Sequence, residues 1–315
     1  MVDIKNSNTY RVASNLLRFV SFIPRRILTL FAYPIGMIWY IFDGCHRKIA
    51  FDNMMKAFSG EITRSRCRRL VKANFVQLLR VALELPSLLR MNLRNLDSYV
   101  EFSGVAHLKA VLAAGKGALF LTAHLGNWEM MGLAMPLKFG FSHQAHAMAR
   151  PLDHKPMEAI LTEIRTRTGN RVIDKDKSAG VVGGLLRQNQ KIAILLDQNA
   201  SWFEGVYVPF FGRVACTNKG FAMLAIRYGV PVVPMFNIRQ KNGRYKVMFD
   251  PPVELIRTGD LSRDIVENTR LFNEIIEKHI RMAPDNWLWV HRRWRIKDIP
   301  EFARKKVKGD VDSLF

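Results

Sequence analysis

From about residue 100 onward, short apolar runs alternate with stretches whose apolar positions recur at helical spacing. The runs predict strands at 117–123, 143–149, 191–197 and 230–236, with another near 245–249. Between them the spacing predicts helices at 127–138, 154–168, 178–189 and 218–228, and a longer one from about 262 to 282 that stops before Pro284. Asp153 is a candidate cap for the second of these helices and Gly169 a candidate close. Strands alternating with helices predict an α/β chain, an αβα sandwich with a largely parallel central sheet. Residues 47–95 read as helical, with Leu70, Val71, Phe75, Leu78, Leu79 and Val81 near helical spacing.

The amino-terminal pattern is different. Ile27 to Phe42 is almost entirely apolar or aromatic, with Arg25 and Arg26 before it and His46, Arg47 and Lys48 after it. Its length falls short of the roughly 20 residues that span a bilayer, and Pro34 and Gly36 interrupt it. No small-residue cleavage site follows, which argues against a secretory signal. Residues 14–42 therefore read as an interfacial or re-entrant anchor with basic flanks. A single span and a buried core helix are the alternatives.

Charge sharpens this picture. The 315 residues carry a formal net charge of +21, and 49% are hydrophobic, which excludes a disordered chain. The excess of Lys and Arg calls for an acidic partner: nucleic acid, an anionic membrane surface or an acidic protein. No nucleic-acid recognition motif is present, and the apolar amino terminus favours the membrane. Cys45, Cys67 and Cys216 are scattered, form no CxxC pattern and suggest a reducing, cytoplasm-facing location.

The candidate chemistry sits in Ala-His-Leu-Gly-Asn-Trp-Glu at 123–129, directly after the apolar run 117–122. Five steps along a helix rotate about 140°. His124 and Glu129 can converge only if His124 lies in the turn before the helix and Glu129 in its first turns. Gly126 relaxes such a turn and Asn127 is a candidate N-cap. An imidazole there can take a proton from a hydroxyl, with a carboxylate fixing its tautomer. Other catalytic layouts are missing: there is no GxSxG, no SxxK and no HExxH. The only close histidine pair, His143 and His146, would point to opposite faces of a strand, so no metal site is expected.

Several blocks in order make the chain resemble the bacterial lauroyl/myristoyl acyltransferases of lipid A biosynthesis, within the lysophospholipid acyltransferase-like superfamily. They are His46-Arg-Lys-Ile-Ala-Phe-Asp-Asn53 with Ala57-Phe58, then Thr122 to Glu129, then Arg150-Pro151 with Arg165 to Gly169. Asp197-Gln198 with Gly205 to Gly212 follows, and Trp287 to Trp294 closes the series. The resemblance runs from about residue 15 to 297. It implies a glycerolipid-acyltransferase-like sandwich at residues 49–298, behind an amino-terminal membrane-associated segment at 1–48 and before a basic tail at 299–315. It also implies an enzyme on the cytoplasmic face of the bacterial inner membrane. Such an enzyme moves an acyl chain from acyl carrier protein to a lipid-linked hydroxyl without a cofactor.

By the same resemblance, His124 is the general base and Glu129 orients it. Arg150, Asp197, Gln198, Asn127 and Arg292 are candidate substrate-binding residues. Arg293 joins Arg292 as a candidate for carrier acid or lipid phosphate. Trp128, Met130, Met131, Phe210 and Phe211 are candidates to line an acyl tunnel. The chain departs from the pattern at Asn199-Ala200 and at Ala215 to Gly220. These departures lie on the expected acceptor side, so a lipid A precursor, a phosphatidylinositol mannoside, another glycolipid and a lysophospholipid all stay open as acceptors. A non-enzymatic membrane-surface scaffold is the competing reading; the presence of both His124 and Glu129 argues against it.

Overall fold

The computed structural model describes residues 7–141, 144–174 and 178–295, with backbone alone at 178 and 179. Helices α1 (Asn8–Val20), α2 (Arg25–Leu30), α3 (Ala32–Phe42), α4 (Gly44–Ala57) and α5 (Arg64–Leu88) come first. Strand β1 (Val100–Ser103), helix α6 (Val105–Ala113), β2 (Ala118–Thr122), α7 (Trp128–Phe139), β3 (Ala145–Ala149), α8 (Lys155–Thr166) and β4 (Arg171–Asp174) follow. Then come α9 (Ser178–Arg187), β5 (Lys191–Leu195), the hairpin β6 (Gly205–Phe210) and β7 (Arg213–Asn218), α10 (Gly220–Tyr228), β8 (Val232–Arg239), β9 (Tyr245–Phe249) and α11 (Leu261–Met282).

The expected mixed α/β fold with a mostly parallel central sheet is present. Seven strands run in the order β1-β9-β8-β2-β5-β3-β4. Strands β8, β2, β5, β3 and β4 are mutually parallel, whereas β9 pairs antiparallel to β8 and carries β1 with it. Every residue of β2 is buried, as a central parallel strand covered on both faces requires. Its alternate residues feed two cores: Leu119 and Leu121 join one with α4, α10 and α11, and Ala118 and Phe120 join the other with α6, α7 and α8.

The strands and helices expected from 117 to 282 lie within a few residues of their predicted bounds. Strands β1 and β4 and the β6–β7 hairpin went unpredicted. Asn127 caps α7 as expected, accepting from the Met130 amide at 3.0 Å. At α8 the cap is His154, whose ring accepts from the Met157 amide, rather than Asp153. His143 and the basic tail from Arg304 to Lys308 lie outside the described residues.

The amino-terminal helices carry their apolar side chains outward. Twelve of the twenty exposed large apolar side chains among the described residues fall between Val12 and Phe42, an accumulation that marks an interaction face. On α1, Val12, Leu16 and Phe19 share that face, while Tyr10 turns inward and donates to Glu163 at 2.8 Å. Helix α3 packs along α5, with the Trp39 and Phe75 ring centroids 4.6 Å apart. No single helix among the described residues is long and apolar enough to cross a membrane; the pair Arg25–Phe42 and Gly44–Ala57, bent by 94°, passes that test of length and composition together.

Candidate active site

The carboxyl ends of β2 and β5 define the site. Their parallel register pairs Ala118 with Lys191 and Thr122 with Leu195. Two residues further, the same register sets His124 opposite Asp197. The His124 ring Nδ1 lies 2.9 Å from Asp197 Oδ1, and the His124 amide donates to Oδ2 at 3.0 Å. A carboxylate only accepts, so Nδ1 carries the proton between the two groups. The Trp287 indole N–H also donates to Asp197 Oδ2, at 2.7 Å.

Burial opposes the charge of Asp197. The positive charge and hydrogen bond of the His124 ring, the Trp287 N–H and the His124 amide outweigh it and hold the carboxyl below the usual carboxylate range. A second imidazole nearby, that of His291, is pushed down to about 4 by burial, and its Nε2 already accepts the Asn199 amide.

The turn after His124 is held by the carboxyl-terminal segment. Gly126 donates to the Asn286 carbonyl, Leu288 to the His124 carbonyl, and Leu125 bridges Trp287. Gly126 has φ +66°, and a Cβ there would fall 2.0 Å from Asn237 Oδ1, so no other residue fits. The Asn53 side-chain amide donates to the carbonyls of Trp289 and His291, and that of Asn74 to those of Asp285 and Trp287. The first and last blocks read from the sequence thus meet as one support beneath the dyad.

Glu129 is paired with Arg165 rather than with His124. It accepts Arg165 Nε at 2.8 Å and Nη2 at 2.6 Å, a bidentate pair between α7 and α8. The mutual charge and hydrogen bonds outweigh the desolvation of Arg165 and raise its pKa. Where the local turn led to Glu129 being expected beside the imidazole, sheet register supplies Asp197 there. Asp197, a candidate substrate ligand from the sequence, is instead the hydrogen-bonded partner of the His124 ring and amide.

His124, Trp128, Glu129, Arg165, Arg150 and Gln198 line one cavity of about 960 Å³. Arg150 stands at its rim, largely exposed and 3.3 Å from Asp153. Asn127, a candidate substrate ligand, does not line the cavity. It is fully buried, and its amide NH₂ donates to Glu84 Oε2 at 2.9 Å. Arg292 is exposed beside Cys45, away from the cavity. Arg293 is buried instead, donating to the Cys216 carbonyl and Thr217 hydroxyl, with its pKa lowered by burial to about 10. Of the tunnel candidates only Trp128 lines the cavity; Met130, Met131, Phe210 and Phe211 belong to the core. Among the described residues no three His, Cys, Asp or Glu side chains gather as metal ligands.

Arg165 and Trp287 are the partners that sequence reasoning missed. Both lie in blocks singled out by resemblance, but their contacts join positions 36 and 90 residues apart. Glu84 was missed too. It is buried beneath α7, accepts Tyr245 OH and Asn127, and has Arg25 and Arg239 within 3.8 Å.

Burial pushes the Glu84 carboxyl up despite those groups. The native state then binds its proton more tightly than the unfolded chain, so this residue's contribution to stability falls as pH rises through the raised value. Glu84→Gln removes that titration. Its stability relative to wild type is expected to improve as pH rises from below the ordinary glutamate value of about 4.3. Urea unfolding across pH checks the trend; a pH-independent difference would refute it.

The fold is thus an α/β sandwich whose central strand ends in a carboxylate-paired histidine beside a cavity of mixed charged and apolar walls. The chain belongs to the bacterial lipid A biosynthesis acyltransferase family, whose profile matches residues 9–296. It is 24% identical to the lipid A biosynthesis lauroyltransferase of Escherichia coli (strain K12) over 87% of each chain. It is 26% identical to the lipid A biosynthesis palmitoleoyltransferase of the same organism over 64% of each. A phosphatidylinositol mannoside acyltransferase of Mycobacterium tuberculosis (strain H37Rv) is 24% identical over 69% of this chain and 66% of its own. The protein is an acyltransferase.

Proposed function

We propose that the enzyme moves a fatty acyl group from an acyl-carrier-protein thioester to a hydroxyl of a lipid A precursor or a related glycolipid, at the cytoplasmic face of the inner membrane. The observation that carries the mechanism is the His124–Asp197 pair at the cavity wall. His124 Nε2 takes the acceptor hydroxyl's proton as that oxygen attacks the thioester carbonyl. Asp197 holds the tautomer and stabilises the imidazolium. The tetrahedral oxyanion collapses, the carbon–sulfur bond breaks, and the leaving thiolate takes the proton back from His124.

Helix geometry leaves the first-turn amides of α7 without intrahelical acceptors. Trp128 and Glu129 line the cavity, and their amides are the oxyanion donors in this reading. Glu129 acts through Arg165: the fixed guanidinium offers its outer N–H groups to an anionic group of the acceptor. Arg150 at the rim and Lys219 across the cavity add to that positive wall.

The test is transfer of labelled acyl groups by the purified enzyme, with acyl carrier protein and coenzyme A thioesters as alternative donors. Lipid A precursor, phosphatidylinositol mannoside and lysophospholipid compete as acceptors, with products identified by mass spectrometry. Lipid A precursor acylated from the carrier protein is the expected product; preference for another acceptor or donor would replace that part of the reading.

Membrane attachment rests on the outward apolar face of α1 to α3 and its basic flanks. Each aromatic side chain buried there contributes about 1.5–3 kcal/mol. Phe19→Asp with Phe42→Asp is therefore expected to weaken co-sedimentation with anionic vesicles at least tenfold. Unchanged partitioning would show that another surface makes the contact.

A further inference from the structure

Neighbouring residues of a strand point to opposite faces, yet Ala147, Met148 and Ala149 all line the cavity, as do Ile194, Leu195 and Leu196. The cavity therefore wraps the carboxyl ends of β3 and β5 and enters both faces of the sheet. Its arm on the α7–α8 face holds the Glu129–Arg165 ion pair and Asn170. Its other arm runs between α9 and α10, past Val182, Phe221 and Leu224 to Tyr228, all of them part of or packed against the apolar core of that face.

The second arm has a depth and an end. Helix α10 precedes β8, which is parallel to β2, so it runs back toward the amino edge of the sheet. The eight steps from Gly220 to Tyr228 carry it about 12 Å. There it meets α9. The Tyr228 phenol fills the space of the missing side chain of Gly183: a Cβ added to Gly183 would fall 1.9 Å from the phenol oxygen. The guanidinium carbons of Arg187 and Arg227 lie 5.5 and 5.8 Å from the Tyr228 ring centroid and help hold the ring in place.

We propose that this apolar arm receives the acyl chain of the donor and that Tyr228, seated on Gly183, is the end wall that sets its length. The inference rests on the acyl-transfer reading above. Placing methylenes against the Glu129–Arg165 pair would strip solvent from charge, whereas the α9–α10 arm offers apolar walls. Three bonds of extended backbone cover about 3.6 Å, or about 1.2 Å per bond, so the arm takes about ten bonds below the level of Gly220. Each methylene buried raises affinity about fourfold. That gain ends where the terminal methyl reaches the ring, because a close-packed wall resists insertion.

The experiment measures two quantities across saturated chains from C8 to C18: transfer from acyl carrier protein, and binding of carrier protein bearing the same chains as non-transferable thioethers. Tyr228→Ala is expected to move the optimum longer by about two to four carbons, the depth of ring removed at about 1.2 Å per bond. Leu224→Phe, a half-buried site higher in the arm, is expected to move it shorter. Thermal unfolding establishes that each variant is folded, and Leu224→Phe alone decides the matter if Tyr228→Ala is not. A general loosening of the fold would lower all lengths together without moving the optimum.

Opposite shifts of the two variants in either quantity support the ruler. Optima that stay fixed while wild type transfers acyl groups overturn the ruler and leave the transfer reading standing. Shifts in binding without any transfer support the ruler and sink the transfer reading. Wild-type binding that does not depend on chain length overturns the ruler outright.

Discussion

His124→Ala is expected to lower kcat for acyl transfer by about 10²–10⁴-fold, the usual contribution of a positioned general base. The loss should fall on kcat with little change in KM for the donor, because the ring acts on the acceptor hydroxyl rather than on the acyl chain. Folding should survive the change. The side chain is one-fifth exposed at the cavity wall, and its main-chain bonds to Asp197 and Leu288 do not involve the imidazole. A cooperative unfolding transition, lowered because the buried Asp197 loses one of its partners, together with a collapsed kcat is therefore the expected combination. Undiminished product formation would remove His124 from the chemistry.

What the sequence revealed and what it hid divide along the range of the interactions involved. Strands β2, β5 and β8 were legible as short apolar runs, and β2, buried along its whole length, shows why a central parallel strand reads that way. The Asn127 cap was legible because it is made three residues away. The placement of His124 in the turn before α7 was reached on the premise that it meets Glu129; the structure keeps the position and supplies Asp197 as the partner. The partner of His124 was not legible, since it is set by pairing across 73 positions. Even so, aligning the predicted strands 117–123 and 191–197 side by side would have brought 197 to the end of 123. The β6–β7 hairpin escaped because Pro209 and the flanking glycines read as loop chemistry. The two-armed cavity was invisible: its apolar arm uses side chains whose spacing is indistinguishable from that of an ordinary helix core.

Asp197→Asn is expected to cost as much as losing the base, about 10²–10⁴-fold in kcat, whereas Glu129→Gln should act mainly on KM for the acceptor. The reasoning is one of hydrogen-bond capacity. Asp197 accepts three N–H groups: the His124 ring, the His124 amide and the Trp287 indole. An asparagine has one accepting oxygen and two protons to give away. Its NH₂ turned toward Nδ1 favours the tautomer that carries its proton on Nε2, which cannot act as a base. Glu129→Gln leaves that arrangement untouched and releases Arg165. Double mutants separate the two roles, because residues that act as a unit are non-additive. Asp197→Asn placed on His124→Ala should reduce activity little further, since the group it orients is already gone. Glu129→Gln placed on His124→Ala should multiply the two losses in kcat/KM. The reverse pattern, with Glu129 the non-additive partner, would return the orienting role to Glu129 and require α7 to turn its carboxylate to the imidazole during turnover.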